Sequence, residues 1–197
     1  MARPARPYTW TAGQFEGAWV VSQVNGTWHS AIEVPGTSKF FGDWISAISC
    51  PSNGNCGAGG VENYENTERP FGSTFVVNEV HGIWYRALPI PGTNKLNVGD
   101  DAALTSISCT TAWKCGAGGY YTPGNAEAFP YWDAFVVSED QGHWGRATIV
   151  RGTKTENTRV EASITAISCA SPGLSCTAAG YYVNNKTGTH DFVVSKP

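Results

Sequence analysis

Three landmarks recur in the same order along this chain, at a spacing of about 60 residues, and no other feature restricts its fold so much. The first is an aromatic-Val-Val segment: Trp19-Val20-Val21-Ser22, Phe75-Val76-Val77-Asn78, Phe135-Val136-Val137-Ser138 and Phe192-Val193-Val194-Ser195. The second is Gly-x-Trp, at Gly26-Thr27-Trp28, Gly82-Ile83-Trp84 and Gly142-His143-Trp144. The third is Ile-Ser-Cys with a second Cys shortly after: Cys50 and Cys56, Cys109 and Cys115, Cys169 and Cys176. Trp28 and Trp84 lie 56 residues apart and Trp84 and Trp144 lie 60 apart; the first cysteines of each pair are spaced by 59 and 60. The chain reads as one all-β repeat domain over residues 1–197, with repeats at about 15–74, 75–134 and 135–197.

Each repeat predicts four strands. The Val-Val strand turns through Asn25-Gly26, His81-Gly82 or Gln141-Gly142 into a Trp strand, and an x-Gly pair between strands is the two-residue hairpin that needs positive φ. Pro35-Gly36-Thr37, Pro91-Gly92-Thr93 and Arg151-Gly152-Thr153 open a polar connection. A third strand follows (Ile45–Cys50, Leu104–Cys109, Ile164–Cys169), then a Gly/Ala-rich fourth (Gly57–Gly60, Gly116–Tyr121, Thr177–Val183). No sustained 3.6-residue periodicity appears, so helices are expected to be minor. A five- or six-residue loop between antiparallel strands brings its two flanking cysteines face to face, which predicts three disulfides within repeats. Zinc is the competing use of clustered Cys. It is disfavoured because each pair stands alone, without Cys-x2-Cys spacing or a matching His. Disulfides imply an oxidising compartment.

The face pattern bears on architecture. Phe135 and Val137 lie on one face of their strand and Ala134 and Val136 on the other; Ile164 and Ala166 similarly oppose Ile167 and Cys169. Strands apolar on both faces belong to sheets covered on both sides, as in stacked propeller blades, whereas a β-trefoil strand buries one face. The phrase Ile48-Ser49-Cys50-Pro51-Ser52-x-x-x-Cys56-x-Ala58-Gly59 resembles the blade motif of bacterial sialidase-like and photosystem-assembly-type β-propellers. The fuller pattern is similar to tandem repeats of secreted actinobacterial proteins of unknown function, and the likeness covers nearly all the chain after Thr11. It implies a β-propeller-like fold of about three four-stranded repeats, with a trefoil-like three-fold domain as the alternative. It carries over no catalytic residues. The sialidase Asp-box and arginine triad have no counterpart.

A propeller of three blades falls short of the usual four or more. The first blade lacks its inner strand and the last lacks its outer Trp strand, so closure by strand exchange predicts a homo-oligomer. With 13 Lys+Arg against 16 Asp+Glu and a net charge of -3, there is no basic surplus to displace counterions, and nucleic acid is not expected as a partner. No apolar run is long enough to span a membrane. Residues 1–7 carry no signal-peptide core, so the chain is either cytosolic or reaches the outside by a leader it does not show. The cysteines favour secretion.

Two kinds of aromatic residue stand out. Trp28, Trp84 and Trp144 repeat, and the expectation is packing between repeats with the indole N–H bonded to backbone. Trp44, Trp113, Tyr131 and Trp132 break the repeat, and loop aromatics of this kind suit ligand binding, with glycan as the expected ligand. Tyr120 and Tyr181 follow the Gly-rich strand and join that candidate set. Acidic residues precede the Ile-Ser-Cys strand (Asp43, Asp100, Asp101, Glu161), which makes calcium the one ion worth weighing; otherwise no cofactor and no metal site is expected. Catalytic motifs are absent: there is no Gly-x-Ser-x-Gly, no His-Glu-x-x-His and no phosphate loop. The expected function is therefore extracellular recognition, lectin-like with several weak sites. A channel enzyme using Asp/Glu and Tyr, lyase or hydrolase, and a structural subunit are the alternatives.

Overall fold

The computed structural model describes residues 17–37, 42–66, 69–124, 131–153, 161–184 and 186–196. Their secondary structure is β apart from one short helix, α1 (Thr93–Leu96). An inner strand (β5, Trp44–Ser52; β10, Ala102–Thr111; β15, Ala162–Ala170) turns through the cysteine loop into the Gly-rich strand (β6, Asn55–Asn66; β11, Lys114–Tyr121; β16, Ser175–Asn184). The Val-Val strand pairs next (β7, Arg69–Val80; β12, Asp133–Asp140; β17, Gly188–Lys196).

The predicted Trp strand is split. Both β8 (Ile83–Trp84) and β9 (Leu88–Pro89) pair with β7, and both β13 (His143–Trp144) and β14 (Thr148–Ile149) pair with β12. The turns before them hold two positive-φ residues each, His81-Gly82 at 51° and 81° and Gln141-Gly142 at 51° and 79°. That is the geometry whose twist suits a two-residue hairpin. Ahead of β5 the described strands are four short ones: β1 (Trp19–Val20) pairs with β4 (Ile32–Glu33), and β2 (Gln23–Val24) with β3 (Thr27–Trp28). The strands form separate small antiparallel sheets, none closed on itself.

Consecutive sheets stack face to face, β10 on β5 and β6, then β15 on β10 and β11. The middle sheet is therefore covered on both faces. Val76, Leu104, Ile107, Phe135 and Val137 fill one inter-sheet core; Ala134, Ile164 and Ala178, with Phe192 and Val194 against them, fill the next. Polar bonds recur across each joint. Ser46 Oγ donates to the Leu104 carbonyl and Thr105 Oγ1 to that of Ile164. The Cys109 and Cys169 amides donate to Ser49 Oγ and Ser108 Oγ, each at 3.0 Å.

Glycines in β6 and β11 are where the next sheet's disulfide rests. A Cβ on Gly57 would lie 2.5 Å from Cys109 Sγ and 2.9 Å from Cys115 Sγ; one on Gly116 would meet Cys176 and Cys169 Sγ at 2.7 and 2.8 Å. Three disulfides form as predicted, Cys50–Cys56, Cys109–Cys115 and Cys169–Cys176, with Cα–Cα separations of 4.0–4.1 Å.

The three repeated tryptophans differ from the expected uniform packing. Trp84 is buried, Trp144 is half-buried, and Trp28 is 65% exposed because it heads the outer hairpin that has no described sheet before it. The indole N–H of Trp144 bonds not to backbone but to Asn78 Oδ1 of the preceding sheet, at 3.4 Å. Asn78 Nδ2 donates in turn to Glu139 Oε2 (3.1 Å) and to the Ala112 carbonyl (2.8 Å), so one side chain clasps two sheets. At the joint before it Ser22 stands where Asn78 does, accepting the same bulge bond (His29 N to Ser22 O, like Tyr85 N to Asn78 O). Its short side chain supplies no clasp, and the buried Trp84 Nε1 has no hydrogen-bond partner.

Candidate functional site

The predicted site residues fall at opposite ends of the sheets. At the cysteine-loop end stands Trp113, in the turn between β10 and β11. The Gly142 amide donates to its carbonyl at 3.2 Å, as the Gly82 amide does to Gly54 in the preceding repeat at 2.8 Å. An indole thus replaces a glycine at an otherwise fixed position. That indole lies over the β12–β13 turn, since a Cβ on Gly142 would come within 3.2 Å of Trp113 Cε3. The exposed ring of Tyr85, from the sheet before, meets it edge-on at 5.5 Å and 72°. Thr111, Trp113, Lys114, Gln141 and Gly142 line an open depression of about 550 Å³, and Lys114 Nζ lies 3.6 Å from Asp140 Oδ1 at its side. The result is an apolar floor with a rim of amide, hydroxyl, ammonium and carboxylate groups. Tyr85 is the partner that sequence reading missed; its neighbour Trp84 repeats, but Tyr85 itself does not (His29, Gly145), and that irregularity was the available signal.

At the other end β11, β12 and β16 gather Tyr120, Tyr131, Trp132 and Tyr181. The Tyr120 and Trp132 rings overlap at 4.5 Å and 30°, and Trp132 Nε1 donates to Asp101 Oδ2 at 2.9 Å. The Tyr131 hydroxyl abuts Gly124, where a Cβ would lie 2.8 Å from it. Burial, followed by the charge of Asp101 and the neighbouring Tyr181, pushes the Tyr120 hydroxyl up to about 12. Burial and then the Glu161 carboxylate raise Tyr181. Tyr121, beside them in the core, is raised too, first by burial and then by Asp133, whose Oδ2 accepts its hydroxyl at 3.4 Å. Each of these shifts favours the neutral phenol.

The remaining candidates stand apart from these two groups. Trp44 does not join either group: it is exposed at the start of β5, paired with Val61, on the first full sheet. The same register pairs Ala103 with Tyr120 and Ser163 with Tyr181, so Val61 occupies the tyrosine position in the first copy. It also places Asp43 level with Ala102 and Ala162, while Asp101 and Glu161 match each other through the bridges Gly72↔Asp101 and Trp132↔Glu161. The acids consequently form no equivalent ring. Among the described residues no three His, Cys, Asp or Glu side chains come together closely enough to hold a metal ion, and no helix is long and apolar enough to cross a membrane.

Burial pushes the Glu139 carboxyl up to about 7, against the opposing effect of its Asn78 hydrogen bond. It has 0% exposure and lies inside the sheet–sheet joint. No protein-family model matches the chain, and no curated protein matches it.

Proposed function

We propose that this chain is a non-catalytic, extracellular recognition module for carbohydrate, its repeats arranged as propeller-like blades. The Trp113 depression carries the reading. A pyranose offers an apolar C–H face and a rim of hydroxyls; the indole floor with Thr111, Lys114, Gln141 and Asp140 around it offers the matching pair of surfaces. The Tyr120–Trp132 pair with Asp101 supplies a second aromatic and carboxylate group at the far end. Two weak sites on one rigid stack gain from avidity on a polymeric glycan. Three disulfides are consistent with an oxidising compartment. Binding is favoured over catalysis because Glu139, a carboxyl that burial brings near neutrality, exposes no atom to a substrate.

The test is a glycan array followed by fluorescence titration of the best ligand. Trp113→Ala is expected to weaken binding about tenfold, the scale of one aromatic platform. Trp28→Ala, at an exposed ring outside the depression, should leave it unchanged. A flat array, or equal losses in both variants, refutes the reading.

A further inference from the structure

The two internal joints define a knob and a seat. The knob is an isoleucine with the adjoining disulfide, Ile107 with Cys109–Cys115 and Ile167 with Cys169–Cys176. The seat is a pair of glycines two apart in the preceding sheet, Gly57 and Gly59, then Gly116 and Gly118. Beside the disulfide contacts, a Cβ on Gly59 would lie 2.8 Å from Leu104 Cδ1, and one on Gly118 3.0 Å from Ile164 Cγ1. A cross-strand disulfide cannot swing aside as a flexible side chain can, so any residue larger than glycine at the first position bars this seating.

The first full sheet carries a knob without a seat. Ile48 is 53% exposed where Ile107 is 7% exposed, and Cys50 is exposed beside it. The hairpin of β1–β4 packs Ala18, Val20 and Val34 on Phe75, Val77 and Trp84 and reaches Cys56, Ala58 and part of Ile45, but leaves Ile48 and Cys50 exposed. The third full sheet shows the reverse change. Thr177 stands at the first seat position and Ala179 at the second, and Thr177 is exposed, its hydroxyl bonded to Ser195 Oγ at 3.0 Å. Thr165 and Ser168 keep the hydroxyls that Thr105 and Ser108 turn toward the next sheet, and Val193 is 70% exposed beside Ala179, so the two seat positions are what sets this surface apart.

We propose that the Ile48/Cys50–Cys56 face docks one more sheet of this repeat type, one presenting glycine at both seat positions, and that Thr177 and Ala179 bar the chain's own third sheet from that role. The partner's chemistry follows from the two joints: a Gly-x-Gly strand flanked by serine or threonine hydroxyls that meet the incoming backbone amides. A second unaltered copy does not qualify. Its glycine seats are filled internally, and its open face carries Thr177. Strand-for-strand closure of two copies, which the complementary count of strands suggests, lacks the matching surfaces.

The experiment measures solution mass by sedimentation velocity over a concentration series, with circular dichroism as the check on folding. The wild type is expected to keep its monomer mass. Thr177→Gly with Ala179→Gly creates the seat and should produce species growing with concentration, and adding Ile48→Asp should return them to monomer. Where the double variant loses its β spectrum, Thr177→Gly alone carries the test. A folded glycine variant that stays monomeric at its solubility limit overturns the proposal. So does assembly that Ile48→Asp fails to dissolve, and so does wild-type assembly.

Discussion

Replacing Glu139 by glutamine should stabilise this protein at alkaline pH and do little in mild acid. The carboxyl has 0% exposure, Oε2 accepts one bond from Asn78, and Oε1 has no hydrogen-bond partner. Burial raises it from an ordinary 4.5 to about 7 in the folded state. Its folded value lies above its unfolded value, so the native chain holds a proton that the unfolded chain has released between those two pH values. Stability from this group is therefore complete below about pH 4.5, declines as pH rises toward 7, and is level above. A displacement of that size corresponds to about 3 kcal/mol at pH 8 and under about 1 kcal/mol at pH 5. Glutamine keeps an oxygen for the Asn78 amide and never ionises. Urea unfolding of both proteins at pH 5 and pH 8, followed by tryptophan fluorescence, gives the difference directly. Glu79, also raised by burial, is present in both and cancels. An equal difference at the two pH values, or a glutamine variant weaker at pH 8, would sink the argument.

Two further outcomes follow from the joints. Gly116→Ala drives a Cβ to within 2.8 Å of both sulfurs of Cys169–Cys176, an overpacking expected to cost about 1–3 kcal/mol in denaturant unfolding. The same change at Gly173, where a Cβ meets nothing within 4 Å, should be near neutral. Ser22→Asn offers the buried Trp84 Nε1 the acceptor that Asn78 gives Trp144; a gain of about 1 kcal/mol in the same assay is expected, and it should vanish when Trp84 is replaced by Phe.

Strand order and disulfide pairing were legible in the repeat because both answer demands every copy shares. The hairpin turns needed positive φ at His81-Gly82 and Gln141-Gly142, and each cysteine pair flanked a short loop. Trp113 and Trp132 were legible as irregularities, but the stacking of Trp132 on the repeated Tyr120 and the separation of the two tryptophans to opposite ends were not, since both depend on which end of β11 each flanks. Register was harder still. A bulge between Ile45 and Ala47, matched between Leu104 and Ser106 and between Ile164 and Ala166, shifts the pairing on each inner strand. Counting back from the cysteines sets Asp43 seven residues from Cys50 but Asp101 and Glu161 eight from Cys109 and Cys169, and the pairing agrees, placing Asp43 in the core position of Ala102.

The glycines show why the same letters carry different information. Gly60, Gly119 and Gly180 persist in all three copies, because a Cβ there would strike the carbonyl of Trp44, Ala103 or Ser163 across the bulge of its own sheet. Gly57 and Gly116 answer a demand from the next sheet, and where no described sheet follows, Thr177 takes the place. A position kept in every copy reports what one sheet needs to form; a position lost in one copy reports what that copy no longer has to receive. By that criterion the chain's capacity to join another sheet resides at Ile48 and the Cys50–Cys56 bridge, and its resistance to joining itself resides at Thr177.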